Sequence, residues 1–312
     1  MKIHPLPLVI LAGSDPHPAE LPESGAGLHP LKGYKGMDLK IKGLPLIDLL
    51  LECLQASGHF NPIFIAGPKK LYGAARHGAV VIDTDLNFGK NIEQSVTAVR
   101  ASCGSGLMAL ITCDILPKVN ELHRLMDDYY QNTPLDFWFP VILAPEKPQQ
   151  IGASFWKPRY RVVPEPGKPA RTLLPGHLIV VDTDALRLPL VYRTFDLAYR
   201  TRNRPILYRL GLIVSHIFLG LVVRDIRNVM TLRLPTLTYT VIYNGIALAL
   251  RLRKGVITSD ELADRLHNIF VMYRHRRCYP NRKGRLPLMH GLSFAKDIDT
   301  EEEAQEITDR FG

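Results

Sequence analysis

Cysteine is scarce in this 312-residue chain, with four residues at positions 53, 103, 113 and 278 and no C-x-x-C pair. That spacing argues against a zinc site and against a disulfide framework. Long apolar runs are short of what a membrane demands. Residues 210–223 (LGLIVSHIFLGLVV) carry no formal charge but lie between Arg209 and Arg224, and a spanning helix needs about 20 apolar residues. The opening MKIHPLPLVILAG lacks an extended apolar region and a small-residue cleavage site, so a cytoplasmic protein is expected. Carboxylates are the minority charge: 30 Asp and Glu face 39 Lys and Arg, a net charge of +9. That excess attracts phosphates, whether of nucleotides, nucleic acid or anionic membranes, and does not choose among them. Hydrophobic content of 46% and charged content of 22% exclude a disordered chain. No internal repeat or low-complexity segment occurs.

What is present is a β-α alternation. Residues 8–11, 63–66, 80–82, 107–111 and 137–143 read as strands. Residues 45–58 (PLIDLLLECLQASG) read as a helix with Leu46, Leu50 and Leu54 on one face and Gly58 as its stop. Residues 91–100 and 118–131 read as further helices. The expected fold is therefore α/β: a Rossmann-like three-layer sandwich with a mostly parallel sheet, plus a helical insertion. Ligands of such sheets bind outside the carboxyl ends of the strands. Residues 145–175 are proline-rich loop around a short strand at 160–163, and 175–181 reads as another strand. Residues 185–275 are mostly helical, with a capping box at Thr258-x-x-Glu261. A second box, Thr300-x-x-Glu303, follows a short strand near the C-terminus.

Three segments could carry chemistry. In LMALITCDILP, Asp114 stands at the carboxyl end of a buried strand, where an ionised carboxylate needs a partner. It either holds magnesium or caps the following helix, with Pro117 at an early helical position. In AKDIDTEEE, Asp297 and Asp299 flank Ile298, so extended chain would put both carboxylates on one face; acidic residues opening a capped helix read equally well. In HPLKGYKGMDLKIKG, Lys32, Lys35, Lys40 and Lys42 alternate with glycines, and such a lysine neutralises phosphate or is merely solvated.

Taken in order, LAG at 11–13, KG…GLPLI, SGHFNPIFIAGP, NFGKNIEQSV, TCDIL, LPGHLIVVDTDALR and DIDTEEEA resemble the MobA-like nucleotidyltransferase family. The likeness covers residues 6–145 and resumes at LPGHLIVV and DIDTEEEA. It implies transfer of a nucleoside monophosphate from a nucleoside triphosphate to a phosphorylated small-molecule acceptor, with loss of pyrophosphate. It further implies that Leu11, Ala12, Gly13, Ser14 and Gly67 line the nucleotide, Gly13 and Ser14 through backbone N–H groups. Lys35 is implied as the phosphate lysine, Asp114 as the magnesium carboxylate, and Asp297 or Asp299 as a second metal ligand. Asn91 falls where the family contacts the base, and Gly176 where it lines the acceptor pocket. Lys35 and Asp114 would be the catalytic pair and Mg2+ the cofactor.

The departures are specific. The family usually continues LAG with another glycine and a basic residue; here Ser14 and Asp15 follow. The 35–43 segment is one residue longer than usual, which leaves Lys32 a rival to Lys35. His177 replaces a commoner asparagine. The basic run MYRHRRCYPNRKGR is a further candidate source of positive charge for the triphosphate, or a solvated face. The expected division is a core at 1–184, a basic helical insertion at 185–285, and a closing strand and helix at 286–312. Nucleic acid is not the expected partner; residues 200–233 are expected to lie against the protein or peripherally on an anionic membrane. Two alternatives stay open: a glycosyltransferase of the related nucleotide-sugar fold using D-x-D at 83–85 or 182–184, and a degenerate nucleotide-binding protein without activity.

Overall fold

The computed structural model describes residues 4–14, 31, 33–104, 106–145, 160–164, 167–201, 204, 206–232 and 234–310. The chain begins with β1 (Leu6–Leu11), α1 (Lys35–Asp38), the hairpin β2 (Lys40–Ile41) and β3 (Leu44–Pro45), α2 (Leu46–Ser57) and β4 (Phe60–Gly67). It continues with α3 (Lys69–Tyr72), β5 (Ala75–Arg76), β6 (Ala79–Asp83), α4 (Phe88–Cys103), β7 (Leu107–Thr112) and α5 (Val119–Asn132). Then come β8 (Leu135–Trp138), β9 (Val141–Leu143), β10 (Tyr160–Val162), β11 (Arg171–Pro175) and β12 (Leu178–Asp182). Five helices follow: α6 (Leu188–Arg200), α7 (Ile206–Met230), α8 (Leu237–Lys254), α9 (Ser259–Phe270) and α10 (Tyr273–Cys278). The described chain closes with β13 (Lys283–Arg285), β14 (Leu288–Met289) and α11 (Glu301–Arg310).

An eight-stranded sheet runs in the order β13-β8-β12-β7-β1-β4-β6-β5. β7, β1, β4 and β6 are parallel neighbours, as are β13 and β8, while β12 and β5 run antiparallel. Strand β1 shows why the sheet lies in the middle. Leu8 and Ile10 face Ile47, Leu50 and Leu54 of α2 and Leu122, Leu125 and Met126 of α5. Val9, on the other face, joins Ile92, Val96 and Val99 of α4. A strand buried on both faces needs a continuous apolar run rather than alternation, which LPLVIL supplies. The expected α/β sandwich is the observed fold.

Helix ends follow their local chemistry. Gly58 closes α2 in the left-handed conformation (φ 69°), where a Cβ would be strained. Asn87 caps α4 by accepting from the Lys90 amide at 2.9 Å, so that helix starts three residues before the periodicity suggests. Thr258 caps α9 by accepting from the Glu261 amide at 3.2 Å, and Thr300 does the same for Glu303 in α11.

Three strand expectations need correction. Residues 137–143 are two strands: β8 belongs to the large sheet and β9 to a second sheet ordered β10-β11-β9-β14. Pro140, which has no N–H to give a ladder, stands at the break. Residues 175–181 likewise divide into β11 and β12, with Gly176 and His177 between them. The C-terminal segment contains a 3-10 turn at Leu292–Phe294 and then irregular chain through Thr300, because its main chain bonds to a turn and not to a strand. Among the described residues no helix is long and apolar enough to cross a membrane.

Candidate active site

Parallel neighbours release their chains at one edge of the sheet. Residues 12–14 follow β1, Gly67 ends β4, Thr84 and Asp85 follow β6, and Asp114 follows β7. Antiparallel β12 starts at that same edge, which brings Gly176 and His177 there. The C-terminal segment joins through main chain: the Ile298 amide donates to the Asp114 carbonyl at 2.7 Å. Asp297 and Asp299 flank this anchor, and their carboxylate oxygens gather with one of Asp114 within 4.8 Å of one another. Asp114 is not the cap of α5. That helix begins at Val119 behind Lys118, and Pro117 precedes it.

Lys35 opens α1 and directs its ammonium into this cluster. Its Nζ lies 3.7 Å from an Asp114 oxygen and pairs closely with Asp299. Burial disfavours the charged lysine, but the Asp114 and Asp299 carboxylates outweigh it and raise its pKa above the ordinary value. Lysine 35 therefore stays an ammonium at neutral pH. His177 completes the group. Its Nε2 lies 2.7 Å from Asp297, and its Nδ1 lies 2.7 Å from the Thr112 hydroxyl and 3.8 Å from Asp114. A carboxylate can only accept, so Nε2 carries the proton shared with Asp297, and a neutral ring then accepts from Thr112. Beside it, burial and the Asp114 charge push the Cys113 thiol up to about 12, so it remains a neutral core group.

The loop after β1 is fastened from two sides. The Ala12 amide donates to Ala66 at 2.9 Å, and the Tyr72 hydroxyl donates to the Ala12 carbonyl at 3.0 Å. Gly67 must be glycine: an added Cβ would sit 2.5 Å from the Tyr72 ring and 3.0 Å from the Ala12 oxygen. A Cβ at Gly13 would lie 2.6 Å from the Asn91 amide nitrogen. Asn91 itself is buried and largely engaged. Its carbonyl accepts from Thr84 Oγ1 (2.8 Å) and the Leu86 amide (2.9 Å), and its amide donates to the Leu86 carbonyl. Among the described residues, its second amide hydrogen has no partner. The Gly176 amide donates to the Pro140 carbonyl at 3.0 Å. Leu11 is half-buried at the end of β1. Lys32 and Asp15 lie outside the described residues.

Two residues of this edge take parts that the sequence reading did not give them: Asp85 figured there only in a D-x-D triplet, and Tyr34 not at all. Asp85 Oδ1 accepts from both the amide (3.1 Å) and the hydroxyl (2.9 Å) of Ser14, while Tyr34 donates to its other oxygen at 2.7 Å. Burial raises the Asp85 pKa, but the bonds from Tyr34 and Ser14 prevail and hold it below the usual carboxylate range. The pairing of Asp85 with a loop 71 residues away leaves no local signal beyond the DTD triplet itself.

In neither D-x-D triplet do the two carboxylates share a partner. Asp83 accepts from the Lys69 amide at the start of α3, and Asp85 from Ser14. Asp182, at the opposite end of β12, pairs with Arg282 at 2.6 Å, and Asp184 with Arg100. Arg282 also pairs at 2.8 Å with Asp136, which His267 and His275 approach at 2.8 and 3.0 Å. Arg285 pairs with Asp128. These arginines from the basic run lie beside β8, two strand spacings from β7, and serve the far side of the sheet. They do not supply charge to the loop after β1.

No family model and no curated protein matches the sequence. Among solved structures, a hypothetical transferase from Thermus thermophilus is similar over 96% of this chain and 99% of its own, with 18% identity and a TM-score of 0.55. The similarity shows a shared fold: a mostly parallel central sheet flanked by helices. Weaker likenesses link it to a 4-diphosphocytidyl-2C-methyl-D-erythritol synthase from Anaerococcus prevotii (7% identity, TM-score 0.45, 98% of both chains). They also extend to a CMP:2-keto-3-deoxy-manno-octonic acid synthetase complexed with CTP (13% identity, TM-score 0.43, 67% of this chain and 86% of that one). The last two scores are too low to bear on function.

Proposed function

We propose that the protein is a magnesium-dependent nucleotidyltransferase of the MobA-like kind. It would move a nucleoside monophosphate from a nucleoside triphosphate to a phosphorylated acceptor. One observation carries this reading: Asp114, Asp297 and Asp299 converge beside Lys35 at the strand edge that also bears Gly13 and Ser14. Three hard oxygen donors suit magnesium. Formally, three carboxylates against one ammonium leave two negative charges, which matches a divalent cation.

Asp114, Asp297 and Asp299 would hold the ion. A magnesium ion held by these three would supply charge neutralisation at the phosphate oxygens of a bound triphosphate. Lys35 would release its carboxylate partners to contact the triphosphate, and Gly13 and Ser14 would present their N–H groups to it. Asp85 would yield the Ser14 amide as the phosphates enter. Asn91 would keep the 84–87 turn in shape and offer its remaining N–H to the base. An acceptor oxygen, placed near Gly176, attacks the α-phosphorus. The new P–O bond forms as the bond to the bridging oxygen breaks, and that oxygen leaves with its electron pair as pyrophosphate. Such chemistry asks the protein mainly for positioning and charge neutralisation. His177 would fix the Asp297 carboxylate. The division into 1–184, 185–285 and 286–312, the cytoplasmic location, and an acceptor with a lipid-like or polyol remainder belong to the same proposal. Glycosyl transfer draws no support from D-x-D carboxylates that share no partner.

The test is pyrophosphate release from each of the four nucleoside triphosphates with magnesium and a panel of phosphorylated sugars, polyols and lipids. Release that needs both acceptor and magnesium is expected. Absence of release with every pair, or turnover of a sugar nucleotide instead, would overturn the reading.

A further inference from the structure

Helices α7 and α8 pack against each other and against their neighbours through Ile217 and Leu221 of α7 and Val241 of α8, which share one buried cluster. A surface helix normally needs only that one apolar stripe. Each of these has a second. Leu219, Val223, Ile226 and Met230 recur on α7 at spacings of four, three and four, and all are exposed. Tyr239, Tyr243, Ile246 and Leu250 repeat the same spacing on α8, again all exposed. At 100° per residue both stripes lie opposite the buried faces. They meet at the turn between the helices, where Met230, Leu232 and Leu234 are 79%, 98% and 80% exposed. Leu232 adopts φ 54°, a left-handed conformation unfavourable to a leucine, and holds its side chain in solvent.

The charge on the hairpin selects what covers this face. Between residues 206 and 254 the sequence has seven Lys and Arg and a single carboxylate, Asp225. Asp225 is buried and accepts from the Leu237 and Thr238 amides at 3.1 and 2.7 Å, where it caps α8. Arg224, Arg227, Arg253 and Lys254 are exposed. A second copy would set cation against cation. An anionic bilayer offers both a counter-charge and an apolar layer, and tyrosines such as Tyr239 and Tyr243 favour its interface.

We propose that the outer face of the α7–α8 hairpin, led by Met230, Leu232 and Leu234, seats on the surface of an anionic membrane without crossing it. This rests on the hairpin alone and is independent of the nucleotide chemistry. The experiment is flotation of the full chain with phosphatidylcholine vesicles, with and without phosphatidylglycerol, alongside sedimentation velocity. The protein should float with phosphatidylglycerol vesicles only, and at about 1 M salt, where the Debye length is about 3 Å, binding should fall sharply. Leu232→Ser with Leu234→Ser should weaken binding at least about tenfold, with an unchanged melting temperature because neither side chain touches the core. Arg227→Gln, which lies beside the outer stripe, should also weaken it, by about fivefold for a charge near the surface. No flotation of the wild type at low salt, or equal flotation of the double serine variant, would overturn the proposal. So would a concentration-dependent dimer that this variant abolishes, since the occupant would then be a second copy.

Discussion

Arg282→Ala isolates the ion pairs that fasten the α9–α10 region to the sheet. Arg282 reaches Asp136 at 2.8 Å, Asp182 at 2.6 Å and the Leu135 carbonyl at 2.6 Å. Asp136 is fully buried and Asp182 is 5% exposed, so removing the guanidinium strands two carboxylates in the interior. Breaking a buried pair in this way costs about 3–5 kcal/mol. Asp136 keeps His267 and His275, and Asp182 keeps the Asp184 amide at 2.9 Å. Those contacts favour the lower end, about 3 kcal/mol. At about 1.5 °C per kcal/mol for a chain of this size, thermal unfolding should fall by about 4–5 °C. Arg282→Lys keeps the charge but not the planar fork that spans both aspartates, and should fall between wild type and alanine. A shift below about 2 °C for the alanine variant would refute the claim that the basic run is structural on this side of the sheet.

Acid should destabilise the protein through the same network. Burial raises the Asp136 pKa, yet the His267 bond and the charges of His275 and Arg282 overcome it and hold the group low. A depressed native pKa gives stability that is present above the unfolded value of about 3.9 and is lost as pH falls through the native value. Denaturation curves for Asp136→Asn should therefore lose part of their slope below about pH 4; an unchanged acid limb would count against the pairing. Lys35→Ala should weaken nucleotide affinity more than Lys32→Ala in a direct binding titration, and the reverse order would hand the phosphate role to Lys32. Gly67→Ala should cost several kcal/mol through the Tyr72 and Ala12 contacts, about the scale of overpacking at a site with backbone on one side; chemical denaturation at unchanged m-value is the check.

Local pattern made the sheet legible. The apolar run at 8–11, hard against Ala12 and Gly13, read as a strand and is one, and Gly58 and Thr258 announced the helix ends they occupy. Strand breaks were harder, because 137–143 is one apolar run and only Pro140 marks the passage from one sheet to the other. The site was legible as separate pieces. Nothing local in DIDT reveals that Ile298 bonds to the Asp114 carbonyl, the contact that turns three scattered aspartates into one cluster. The contacts of Asp85 and Tyr34 with each other and with Ser14 were not legible for the same reason: they are set by topology. For Arg282 and Arg285 of the basic run, charge composition could not say which carboxylates would be folded against them.

The most direct test of the central claim is thermal unfolding with each nucleoside triphosphate, with and without magnesium, on wild type and Asp114→Asn. Binding to the folded state at about 100 times Kd adds about 2.7 kcal/mol. The wild type should gain stability from at least one triphosphate only when magnesium is present, and Asp114→Asn should remain folded and gain none of it. A wild type indifferent to all four, or an Asp114→Asn protein that responds as fully as the wild type, would contradict the assignment of this carboxylate cluster.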